Sequence, residues 1–108
     1  LLNGSQFVEA ARVLGATLVA AHGEDTGKLV DDAFKRLTGS APDATQRDIL
    51  SRLDQAELEA FRSAPQQAEA FLGNGSAPRD ESLSAPAVAA AGVLVNTLFN
   101  YDGFAVKR

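Results

Sequence analysis

The chain has 108 residues, a formal net charge of −4, one histidine and no cysteine. That length suits one domain with a modest core, and the lack of cysteine and of further histidines excludes disulfides, a thiolate or multi-histidine metal site and a cysteine nucleophile. The acidic balance argues against nonspecific nucleic-acid binding, which needs a basic surface.

The first helix is predicted to run from Asn3 or Ser5, either of which can cap it, to about His22. Apolar residues recur along it at spacings of four and three, which predicts one buried stripe. The stripe consists of Phe7, Ala11, Leu14, Leu18 and Ala21. Gly23 suits the left-handed conformation that ends a helix. His22 lies where a cation meets the negative end of the helix dipole, so we interpret it as a capping residue.

Two further helices are predicted in the middle of the chain. One begins at Asp25 or Thr26 and stops at Gly39, and the next begins at a capping box formed by Asp43 and Gln46 and runs to about Arg62. The first of them is expected to bury Leu29, Val30, Ala33, Phe34 and Leu37 and to expose Asp31, Asp32, Lys35 and Arg36. The second is expected to bury Ile49, Leu50, Leu53, Ala56, Ala60 and Phe61.

The last third of the chain is predicted to hold a short helix and a long apolar one. Pro65 starts the short helix, because proline is tolerated in a first turn but not in a helix interior. Its apolar side comprises Ala68, Phe71 and Leu72, and Gly73 ends it. After a Gly/Pro/Ser loop, Ser84 caps a helix whose residues 87–99 are almost wholly apolar, so we expect it to be the central buried element. The fold prediction is an all-α, compact bundle of about five helices.

The ten basic residues are interleaved with acids, which predicts a solvated, salt-bridged surface. They are Arg12, Lys28, Lys35, Arg36, Arg47, Arg52, Arg62, Arg79, Lys107 and Arg108. No apolar run reaches the ~20 residues that cross a bilayer, so no transmembrane segment is predicted. The chain starts at Leu1 without a signal-peptide pattern, so we expect residues 1–108 to be a single domain cut from a longer polypeptide.

One polar group interrupts the apolar end of the chain and is the candidate site. It comprises Asn96, Asn100, Tyr101 and Asp102. A buried amide without a partner costs ~1–3 kcal/mol, so these side chains should bond either to the backbone of the preceding loop or to a ligand. The acidic pairs at 24–25 and 31–32 lack the spacing of a calcium loop, and Gly73–Ser76 lacks the context of a phosphate loop. No catalytic, cofactor-binding or metal-binding residue is predicted.

Four short motifs in order along the chain carry a family resemblance. They are Leu2-Asn3 with Phe7–Arg12, Ala33–Gly39 running into Pro42, Phe61–Pro65 with Ala68 and Phe71-Leu72, and Asn96–Asp102. Together they resemble the C-terminal domain of the large, uncharacterised cytochrome-c-associated proteins of planctomycetes and related bacteria. The chain departs from that family at Ser40, at Ala91-Gly92, where the family tends to have an aromatic residue, and at Gly103.

The resemblance implies a C-terminal helical module of a large exported protein, periplasmic or extracellular, with any haem held by upstream domains and no cofactor in this one. It implies no activity. We therefore expect a noncatalytic interaction module that contacts other domains of the same polypeptide and self-associates when isolated. Two alternatives are a small-ligand or saccharide site at Asn96, Asn100 and Asp102, and part of an active site completed by upstream domains.

Overall fold

The computed structural model describes residues 4–73 and 82–100, with side chains from 10–73 and 82–99. These ranges contain five α-helices and no β-strand. The helices are α1 (Gly4–His22), α2 (Thr26–Thr38), α3 (Ala44–Ser63), α4 (Pro65–Leu72) and α5 (Ala85–Asn100). The all-α prediction is confirmed. None of the described helices is both long enough and apolar enough to span a membrane.

Local capping chemistry sets most helix limits where the sequence predicts them. Gly23 and Gly39 adopt positive φ angles of 62° and 85° after α1 and α2. The reciprocal capping box of α3 is present, with the Gln46 backbone N–H donating to Asp43 Oδ1 at 2.7 Å and the Asp43 N–H donating to Gln46 Oε1 at 2.9 Å. Ser84 Oγ accepts from the Ala87 N–H at 3.3 Å before the first turn of α5 is complete. Each cap satisfies a backbone group that the helix itself leaves open.

The last helix is the centre of the bundle, as its composition predicts. α5 packs against each of the other four helices. Its buried residues are Ala87, Val88, Ala89, Ala90, Ala91, Leu94, Val95 and Leu98. Leu94 and Val95 are fully buried and lie in the same cluster as Leu18, Val30 and Phe34 from α1 and α2.

α1 and α5 approach each other closely where each has a glycine. A Cβ atom built on Gly15 would lie 2.8 Å from the Gly92 nitrogen and 3.1 Å from the Val88 carbonyl oxygen. A Cβ on Gly92 would lie 2.7 Å from Cε2 of Phe71 on α4. No side chain larger than hydrogen fits either position without movement, so the two glycines fix where three helices meet.

This crossing corrects the predicted stripe of α1. The buried residues of α1 are Ala11, Arg12, Gly15, Leu18 and Val19. Leu14 is half-buried and Ala21 is exposed, so the prediction for Ala21 is wrong. Because Gly15 must face α5, the buried face is rotated towards Arg12 and Val19. Arg12 is 4% exposed, which contradicts its predicted place on the solvated surface.

The predicted core face of α3 is also partly wrong. Ile49 is 59% exposed, and Ala56 and Ala60 are exposed as well. The buried line of α3 passes instead through Leu50 and Asp54. Leu53, Leu58 and Phe61 pack against the core from partly buried positions on the same side. Two stripes of helical period overlap in this sequence, and the one carrying a carboxylate faces inwards.

Replacing Gly15 with alanine tests the close crossing. We expect Gly15→Ala to lower the free energy of unfolding by about 1–3 kcal/mol, the usual cost of overpacking. Gly27→Ala is the matched control, because a Cβ there would meet only Asp25 Oδ1, at 3.9 Å, and alanine favours a helix. Urea denaturation of both variants measures the difference. A Gly15→Ala domain as stable as Gly27→Ala would contradict the crossing.

Truncating Leu98 tests the central position of α5. Leu98 is 2% exposed, so we expect Leu98→Ala to cost about 2–5 kcal/mol, a large part of the ~5–15 kcal/mol that stabilises a domain. Ile49→Ala is the control, since a side chain 59% exposed on a helix surface should contribute little. Thermal melts followed by circular dichroism compare them. Equal melting temperatures would show that α5 is peripheral.

Candidate functional site at the α1–α2 junction

The polar group predicted at the end of α5 falls mostly outside the described residues. Asn96 is half-buried on α5. Asn100 is the last residue of that helix, and its side chain is not described. Tyr101 and Asp102 lie beyond the described ranges. Their meeting with Asn96 stays a prediction.

A different group of polar side chains surrounds residues 23–25, which connect α1 to α2. We call it the junction cluster, and it comprises His22, Glu24, Thr26, Asp32 and Asp54. Its members come from α1, α2, α3 and the connection between the first two helices. Sequence reasoning interpreted His22, Glu24 and Asp32 one by one and did not consider Asp54. Their association is a tertiary contact that helical periodicity does not encode.

His22 joins the end of α1 to α2 through a carboxylate. Its Nε2 lies 2.8 Å from Asp32 Oδ2, while Asp32 Oδ1 accepts a hydrogen bond from Arg36 Nε at 2.8 Å. Hydrogen bonds from Arg36 and then from His22 hold the pKa of Asp32 below its usual value. His22 does lie in the last turn of α1, as predicted, but its side chain also bridges two helices. Among the described residues, Asp32 is its hydrogen-bond partner.

Two ion pairs attach α3 to the same region. Arg47 Nε on α3 lies 2.8 Å from Asp31 Oδ1 on α2. Arg62, near the end of α3, pairs with Glu24 in the α1–α2 connection. These side chains are roughly half exposed, so each pair contributes at most about 1 kcal/mol. Their effect is to fix the position of α3 along α2 rather than to stabilise the fold strongly.

Asp54 is the buried member of the junction cluster. It is 5% exposed, and no described basic side chain forms an ion pair with it. Burial raises the pKa of Asp54 to about 6; a hydrogen bond from Thr26 opposes this rise, and the nearby Glu24 charge adds to it. A group with that pKa changes its charge near neutral pH, so the domain has a proton-binding site in its interior.

The arrangement binds protons and joins helices, and it does not gather a metal site. In the described parts of the chain, no three histidine, aspartate or glutamate side chains are placed to hold a metal ion. Two residues that sequence reasoning missed are Asp54 and Arg12, both buried charged groups. The signal for each is its position in a line of core residues at helical spacing, Asp54 between Leu50 and Leu58 and Arg12 beside Ala11.

Comparisons with protein-family models, with curated proteins and with solved structures find no match to this chain. The resemblance to the planctomycete proteins therefore stays a prediction from the motifs, and the functional argument depends on the geometry.

Neutralising Asp54 tests the buried carboxyl group. Its pKa is about 6 in the folded state and 3.8 by reference, so the folded domain binds the proton more tightly than the unfolded chain. The stability that this proton contributes is complete below pH 3.8 and is lost as pH rises through 6. We expect Asp54→Asn to be more stable than the parent by about 2–3 kcal/mol at pH 8. That difference should shrink as pH falls from 7 to 4.

Urea titrations across this pH range measure the effect, and Asp48→Asn is the matched control. Asp48 is an exposed acid on the same helix that pairs with Arg52 at 3.2 Å, so its loss should change stability little at any pH. A parent domain whose stability follows the same pH curve as Asp54→Asn would contradict the burial of an ionisable carboxyl group.

Proposed function

We propose that this chain is a noncatalytic helical module that packs against other domains of a larger exported bacterial polypeptide. The described ionisable groups support it, because those on the surface mostly pair with one another between or along helices. Such pairing serves architecture and leaves few charges directed at a substrate. Export and the larger parent protein are supported by the motif resemblance alone.

The observation that carries the proposal is the outer face of α1. Val13, Thr17, Ala20 and Ala21 are exposed on it, and none of them is charged. Val13 is 46% exposed and is one of two large hydrophobic residues with such exposure in the described chain. Thr17 turns its hydroxyl back to the Val13 carbonyl oxygen at 3.1 Å, which leaves its methyl group to solvent. The face is therefore almost devoid of unsatisfied polar groups.

The outer surfaces of α2 and α3 differ sharply from this face. α2 exposes Lys28, Lys35 and Arg36, and α3 exposes Arg47, Asp48, Arg52, Glu59 and Arg62. An uncharged face of small side chains on one helix lets a second helix approach closely, whereas a charged surface favours water. We infer that α1 is the side of the module that contacts a neighbouring domain through an apolar helix or sheet of that domain.

A charge placed on this face tests the proposal. We expect the isolated domain to self-associate reversibly at high concentration through the uncovered α1 face, and Val13→Glu to abolish that association. Ile49→Glu is the matched control, because Ile49 is equally an exposed large hydrophobic residue but lies on charged α3. Sedimentation velocity and light scattering measure association, with thermal melts to show that both variants fold.

A strictly monomeric parent domain would count against the α1 face, and so would an Ile49→Glu variant that loses association as fully as Val13→Glu. The ligand-binding alternative rests on Asn96, a half-buried amide on the otherwise apolar α5. It differs in its consequence, because a ligand-only role for Asn96 or Asn100 leaves melting unchanged on mutation to alanine.

A further inference from the structure

The α1–α2 junction, residues 23–26, has the construction of a hinged segment. Gly23 precedes it with a φ angle of 62°, and Gly27 follows it. A Cβ on Gly23 would meet no atom within 4 Å, and one on Gly27 would meet only Asp25 Oδ1 at 3.9 Å. The two glycines that flank Glu24, Asp25 and Thr26 are therefore unconstrained by packing, and their backbone is free to rotate.

Side chains attach this segment to α3 at two places. Arg62 pairs with Glu24 at the surface, and the Thr26 hydroxyl donates to the buried Asp54 carboxylate. The buried contact is the weak one when Asp54 is ionised, because its carboxylate lies out of water and close to the like charge of Glu24. A protonated Asp54 carries no charge to hydrate and keeps its hydrogen bond with Thr26.

We propose that the α1–α2 junction is a proton-operated latch, closed over Asp54 when that carboxyl group is protonated and open to water when it is ionised. Opening swings residues 23–26 away from α3 about Gly23 and Gly27, which breaks the contacts at Glu24 and Thr26 and hydrates the carboxylate. Mild acid therefore fastens the end of α1 and the start of α2 to α3. The shifted pKa of Asp54, about 6, places the transition between acidic and neutral conditions.

The groups around Asp54 leave the latch under its control. Glu24 is the charged group of the α1–α2 connection that acts on it, and Thr26 is its partner on α2. Asp25 is engaged in capping α2 through the Lys28 backbone N–H. Arg62 is directed to Glu24, and His22 is directed to Asp32. The described side chains of α5 include no ionisable group.

Native-state hydrogen exchange tests the latch amide by amide. The reporters are the N–H groups of Gly23, Asp25 and Leu29, which donate to Val19, His22 and Asp25 carbonyl oxygens. The reference amides are those of Leu94 and Val95 in α5, which exchange by opening of the core. We expect junction protection factors, corrected for intrinsic exchange, to lie below the α5 values and to fall about tenfold from pH 5 to pH 7.5.

Three variants identify the responsible group. Asp54→Asn should keep the junction amides protected at pH 7.5 and remove the pH dependence, whereas Asp48→Asn should behave like the parent. Thr26→Val removes the donor that favours the ionised carboxyl group, so it should move the midpoint of the loss of protection to higher pH. His22→Gln should leave the fall in place.

Several results would overturn the latch. The first is junction protection that does not change with pH in the parent. The second is junction protection equal to that of Leu94 and Val95 at every pH, because exchange would then require global unfolding. Loss of the pH dependence in His22→Gln would assign it to the histidine, and an unmoved midpoint in Thr26→Val would remove the contact on which the latch depends.

Discussion

The approach of α1 to α5 at Gly15 and Gly92 is the constraint on which the rest of the fold depends. With the Gly92 nitrogen only 2.8 Å from where a Gly15 Cβ would lie, the two helix backbones are in contact rather than separated by side chains. That contact fixes which residues of α1 face inwards and places Phe71 of α4 against the same point of α5. A helix with no polar face can then be enclosed by four neighbours in a chain of 108 residues.

The bundle divides its interactions between an apolar interior and a polar junction. Burial of apolar surface by α5 supplies most of the stabilisation, because each fully buried Leu or Val contributes about 1.5–3 kcal/mol and each exposed ion pair at most about 1 kcal/mol. The ion pairs set position instead: Asp31–Arg47 and Glu24–Arg62 fix α3 relative to α2 and to the turn before it. The uncharged outer face of α1 belongs to neither group, which is why it is the natural contact surface.

The sequence predicts this fold well wherever the determining chemistry is local. Asp43 and Gln46 form their capping box within four residues, and Gly39 ends α2 by its own conformation. Prediction fails where two helical stripes compete. Ile49 is as apolar as Leu50, and only packing against α5 decides between them. Asp54 and Arg12 were missed for the same reason, since residue type indicates the cost of burial but not whether tertiary contacts impose it.

Asp54 shows what the core gives up by including a carboxyl group. An apolar side chain there would complete the line between Leu50 and Leu58 and would remove the charge that burial penalises. It would also remove the contact with Thr26, so the α1–α2 turn would be held to α3 only by the exposed pair of Glu24 and Arg62. The carboxyl group therefore exchanges uniform stability for a contact whose strength depends on pH. Because the turn lies beside Ala20 and Ala21, at the end of the uncharged α1 face, that dependence acts at the edge of the surface proposed to contact other domains.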